Sequence, residues 1–101
     1  MIERLFVFTA QGVAGAASGY RPGARHALLI FVRTHSLEDA ETRAVGFAAE
    51  QGWSHIELKR GKEIGADPSS IADTQLRSAA EAAVQEGAGF VVYRDEIPAD
   101  S

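Results

Sequence analysis

The sequence predicts an α+β two-layer sandwich, a single α/β domain covering residues 1–101. Three observations point to this class. Four short segments are dense in β-branched and aromatic residues. Two longer alanine-rich segments with helical period fall between the last three of them. Glycine, proline and capping residues punctuate the joins. The element order is ββαβαβ.

The first strand covers residues 2–9 ("IERLFVFT") and the second residues 26–34 ("HALLIFVRT"). Between them lies a glycine-rich stretch, residues 10–26, with almost no large side chain. It reads as a long hairpin connection. A weak helix within residues 13–19 is the alternative, ranked lower because each glycine costs a helix about 1 kcal/mol against alanine. Ser36 opens the first helix, with Asp39 three residues on in a capping-box-like start. Leu37, Ala40, Ala44, Phe47 and Ala48 share one helical face, and Gly52 supplies the stop. Residues 53–59 ("WSHIELK") alternate as a third strand, followed by a charged glycine-containing loop, "RGKEIGA". Asp67 before Pro68 predicts the start of a second helix running to about Glu86. Residues 90–95 ("FVVYRD") form the fourth strand, and the polar tail frays.

Right-handed crossovers would make the second, third and fourth strands mutually parallel, with the first joined antiparallel to the second. The expectation is a four-stranded mixed sheet with both helices on one face. In general architecture this resembles the ferredoxin-like folds.

Composition narrows the class. The hydrophobic fraction is 46% and the charged fraction 24%, as in an ordered globular protein. The net charge of −4 weighs against nucleic-acid binding through phosphate contacts. With no cysteine there is no disulfide, thiolate metal site or cysteine nucleophile. No apolar run approaches the roughly 20 residues of a membrane span, and the first residues do not read as a secretion signal. The expected protein is soluble and cytoplasmic, with no membrane partner.

The strands carry more apolar surface than two helices on one side can cover. In the third strand Ile56 and Leu58 point one way, and Trp53, His55, Glu57 and Lys59 the other. The first two strands are apolar on both faces. Phe6, Phe8, Leu29 and Phe31, or their opposite set, would lie open to water, and monomers rarely expose so large a patch. A homodimer packed through that face is the expectation, with cover by the chain's own loop, tail or helix as the alternative.

Motifs for chemistry fail on context. "GVAGAASGYRPG" has no Gly-Lys pair and leads into a strand, and "GAGFVV" precedes a strand instead of following one, so neither nucleotide fingerprint holds. His26 and His35 sit at opposite ends of one strand, and no short-spaced ligand pair anchors a metal. Ser54 beside His55 should point to the opposite face. No cofactor, metal site or catalytic residue is assigned. Candidate ligand or partner residues are Tyr20, Arg21, Arg25, His26, Trp53, His55 and Glu57, gathered at one end of the sheet near the long loop. The expected function is a small non-enzymatic domain that self-associates and binds a partner protein or small ligand. The alternatives are a small enzyme with a pocket between sheet faces or subunits, and an immunity or antitoxin-like protein.

Overall fold

The computed structural model describes residues 3–65 and 68–98. Four strands and two helices follow the predicted order: β1 (Arg4–Ala14), β2 (Arg25–Thr34), α1 (Leu37–Glu50), β3 (Trp53–Ile64), α2 (Thr74–Glu86) and β4 (Ala88–Ile97). The sheet order is β3-β1-β2-β4 and every neighbouring pair is antiparallel. The expected mixed sheet is therefore corrected to an antiparallel one, and its strand order is not the usual ferredoxin-like arrangement. The physical reason lies at the strand ends. β3 ends with Ile64 beside Leu5, and β4 begins with Ala88 beside Val32, which lies at the same end of the sheet. β4 must then run back against β3.

The helices do not share a face. Ala40, Ala44 and Ala48 of α1 pack on Phe6, Phe8, Leu28, Ile30 and Val32. Ala79, Ala80 and Ala83 of α2 pack on the reverse side, against Leu5, Val7, Leu29 and Phe31. The arrangement is helix, sheet, helix, in place of the expected two layers. Doubly apolar strands are satisfied by one helix on each side, because each buried large side chain is worth about 1.5–3 kcal/mol. Phe6 and Phe8 thus lie on the face opposite Leu29 and Phe31, since Phe6 pairs with Val32 and Phe8 with Ile30 across the hairpin. These four do not form one surface. Phe6, Phe8 and Phe31 are buried and Leu29 half-buried beneath the chain's own helices.

The glycine-rich stretch is a hairpin connection, as ranked. β1 runs on to Ala14, a single 3-10 turn occupies Ala16–Ser18, and Gly19 and Gly23 take positive φ angles of 86° and 87°. β3 is longer than expected: "RGKEI" continues it, paired with residues 5–9 of β1. Gly61 makes this possible, because a Cβ there would stand 2.3 Å from the Phe8 ring. The second helix starts later than expected. Pro68–Ser70 form a separate 3-10 turn, and Asp73 caps α2 through its side chain and the Leu76 amide. The predicted cap Asp67 lies outside the described residues. Ser36 caps α1 through the Asp39 amide, as expected. Among the described residues no helix is long and apolar enough to cross a membrane.

Candidate functional site

Three candidates from the sequence meet at one end of the sheet. The rings of Tyr20, His26 and Trp53 lie 4.9–5.7 Å apart, centroid to centroid. Trp53 reaches this cluster because β3 is irregular opposite residues 11–13 of β1, and His55 adopts a positive φ of 50° there. Such a bulge breaks the two-residue alternation. Trp53 therefore joins the face of Ile56 and Leu58, not that of His55 and Glu57 as alternation predicted. Gly12 lies beneath this cluster, where a Cβ would stand 3.2 Å from the Leu28 side chain and 3.4 Å from the indole.

His26 is only 1% exposed. Its Nδ1 lies 2.8 Å from the Tyr93 carbonyl oxygen. A carbonyl only accepts, so Nδ1 carries the proton and donates. The contact has a clear structural cause. Between the pairs His26–Glu96 and Leu28–Val92, β4 carries extra residues opposite Ala27. The His26 side chain captures a carbonyl that this bulge removes from the ladder. On the far side of the ring Nε2 is buried and, among the described residues, has no partner, and the same holds for the Trp53 indole nitrogen.

The other candidates are dispersed. Arg21 forms a two-point ion pair with Glu96 at 2.5 and 3.0 Å, tying the loop to the end of β4. The shared hydrogen bond raises the guanidinium pKa and lowers that of the carboxyl. Glu57 pairs with Lys59 at 2.7 Å, and that hydrogen bond, with a smaller contribution from Arg25, lowers its pKa. Arg25 opposes Val13 in the hairpin. His55 is exposed, and its Nδ1 stands 3.2 Å from the Ser54 hydroxyl. The bulge thus brings together two side chains that strict alternation would separate. Among the described residues no carboxylate orients His55 and no group of three acids or histidines could hold a metal ion.

The feature that sequence reasoning missed is the contrast between the two edges of the sheet. β3, one edge, carries Glu57, Lys59, Arg60, Lys62 and Glu63. β4, the other, has no charged residue from position 88 to position 93. Its outer margin is flanked on both sides by depressions. One, of about 800 Å³, runs between β4 and α2, with Gln75, Ser78 and Ala82 on its helix wall and Tyr20 and Arg94 at one end. The other, of about 540 Å³, lies toward α1 and is lined by Arg43, Gly46, Phe47 and Glu50. Tyr93 is 46% exposed on this margin. The signal was present in the sequence, as the uncharged run "AGFVVY" beside the charged run "ELKRGKE", but it marks an edge only once the strand order is known.

No protein-family model, curated protein or solved structure matches this chain.

Proposed function

We propose that this chain is a non-enzymatic docking domain of the cytoplasm that binds by accepting an added strand along the free edge of β4. One observation carries the reading: of two sheet edges, one is studded with charge and the other has none over residues 88–93. An edge strand offers a row of unpaired amides and carbonyls, and natural proteins defend such rows with charged side chains or bulges. β3 has both defences. β4 keeps its bulge and charges for its last third and leaves residues 88–92 flat against β2. Strand addition takes its affinity from main-chain hydrogen bonds and its selectivity from flanking pockets, and depressions lie on both sides here. The docking surface is an edge, in place of the open apolar face that the sequence led us to expect.

The test is an NMR titration of the isotopically labelled protein with a capped seven-residue peptide of alternating threonine and valine. Amide shifts confined to residues 88–93 and to Ser78 and Ala82 are expected. Shifts on β3, or none at millimolar peptide, refute the reading.

A further inference from the structure

We infer that the strand taken up by the β4 edge is an extended segment of another protein, paired antiparallel to β4, with an acidic residue on its amino-terminal side and a basic residue on its carboxyl-terminal side. The inference rests on the strand-addition reading of the same edge and adds the partner's charge and direction.

The hydrogen bonds that β4 already makes decide which of its main-chain groups are free. The Arg33 amide donates to the Gly87 carbonyl at 2.9 Å, and the His26 ring donates to the Tyr93 carbonyl at 2.8 Å. In an antiparallel ladder the residues of a strand turn their amide and carbonyl alternately toward one neighbour and the other. Gly89 and Val91 therefore face β2, in phase with Gly87, and Ala88, Phe90 and Val92 point their amides and carbonyls outward from the edge. Alternate residues of an antiparallel partner can exchange paired bonds with these three. The bulge follows Val92, so the contact spans residues 88–92.

The two ends of this segment carry opposite charge. Past its carboxyl end stands Arg94, exposed, and the only charged one among the described residues that line the groove between β4 and α2. Among the described residues it forms no ion pair. Asp73 is committed to the Leu76 amide, Glu96 is held by Arg21, and Asp95 lines neither depression. Before the amino end stands Glu86, also exposed, in the second depression beside Gly87 and Ala88. It too has no ion pair among the described residues. Glu50 lines the same depression, whose one base, Arg43, is already paired with Asp39 at 2.6 Å. Between the ends Gln75, Ser78 and Ala82 line the groove without charge. The strand that suits this edge is uncharged along residues 88–92 and sets a carboxylate at Arg94 and a cation at Glu86. Antiparallel pairing matches the rest of the sheet and is slightly more stable per residue than parallel. It places the carboxylate first in the partner's sequence and the cation last.

Two capped peptides test this. One extends the threonine–valine peptide to Glu-Thr-Val-Thr-Val-Thr-Val-Thr-Lys, and the other carries the same interior with lysine first and glutamate last. The interior reads the same in both directions, so the pair differs only in the order of charge. An NMR titration at low salt should show the glutamate-first peptide binding about three- to ten-fold more tightly, as two exposed ion pairs allow. Salt at about 0.5 M should remove most of that difference. Arg94→Glu combined with Glu86→Lys should reverse the preference. Both positions are exposed, and unchanged core amide shifts check that the variant folds. Equal binding of the two peptides to the native chain at low salt overturns the inference, and so does a preference for the lysine-first peptide. In either case the strand-addition reading survives if the shifts fall on residues 88–93. A preference that the double variant leaves unchanged overturns the assignment to Arg94 and Glu86. If neither these peptides nor the neutral one shifts β4 amides, both readings fall.

Discussion

Gly89→Ala tests the placement of α2, on which the free edge depends. A Cβ at position 89 would stand 2.3 Å from the Ala79 carbonyl oxygen, 3.1 Å from the Ala79 carbonyl carbon and 3.0 Å from the Ala82 Cβ. The first distance is about an ångström inside van der Waals contact. None of these atoms belongs to a flexible side chain, so α2 must shift as a body against β4. Overpacking of this kind costs about 1–3 kcal/mol. Loss of glycine's freedom in the unfolded chain offsets about 0.4–1 kcal/mol. The net loss is about 1–2 kcal/mol, which lowers the urea midpoint by about 1 M at the denaturant slope of a chain this size. Trp53, the one tryptophan and 3% exposed, is the fluorescence probe. Protein at about 1 µM keeps association from contributing. Gly46→Ala is the control: it sits on the open side of α1 with nothing within 4 Å, and should gain up to about 1 kcal/mol from helix propensity. Were both helices on the α1 face, position 89 would be open and Gly89→Ala neutral or stabilising. A midpoint at or above that of the native chain therefore refutes the three-layer arrangement.

Three further outcomes follow from particular contacts. His26→Ala removes a buried ring and the donor to the Tyr93 carbonyl; it should cost about 2–4 kcal/mol and speed amide exchange across residues 93–96, read by mass spectrometry or NMR. Asp73→Ala removes the α2 cap and should cost about 1 kcal/mol in the same urea assay. The Asp39 carboxyl accepts from the Thr34 hydroxyl and from Arg43 at 2.6 Å, and the first of these does most to lower its pKa. A folded pKa below the unfolded one stabilises fully above about pH 4, and that contribution is lost as pH falls through the folded value. Asp39→Asn should thus flatten part of the acid limb of a stability–pH curve, and an unchanged limb would show that the contact adds nothing.

Element order was legible because it depends on local signals. Ser36 as a cap, the period of residues 40, 44 and 48, and the β-branched runs act over one or two turns of chain, and each reappears in place. Strand direction was not legible, because it depends on the end of the sheet at which β4 begins. The charged run from Lys59 to Glu63 looks like loop, yet its backbone pairs with β1 and its side chains suit an edge. Those added residues fix only where β3 stops; β4 is antiparallel to it because the connection through α2 returns the chain to that same end, with Ala88 beside Val32. The helix placement was half legible. Apolar residues on both faces of β1 and β2 demand two covers, and the sequence offers two helices, but assigning one to each face requires the connections in space. At the candidate site, Tyr20 and His26 are near each other along the hairpin and could be paired from sequence. Trp53 could not, because a single irregularity at His55 reverses its face.

The glycine-rich hairpin and the free edge are physically connected, which gives the long loop a role that neither has alone. Tyr20 packs beside His26, His26 of β2 holds the carbonyl of Tyr93, and Arg21 of the loop grips Glu96, so the hairpin and its loop fix the β4 bulge through two contacts. That bulge ends the flat segment at Val92, and pairing with β2 resumes only at Glu96. A bulge on an edge strand limits how far a neighbour can extend the sheet. In the docking reading the clamp therefore sets the length of strand accepted, while the charged β3 margin blocks addition on the opposite side.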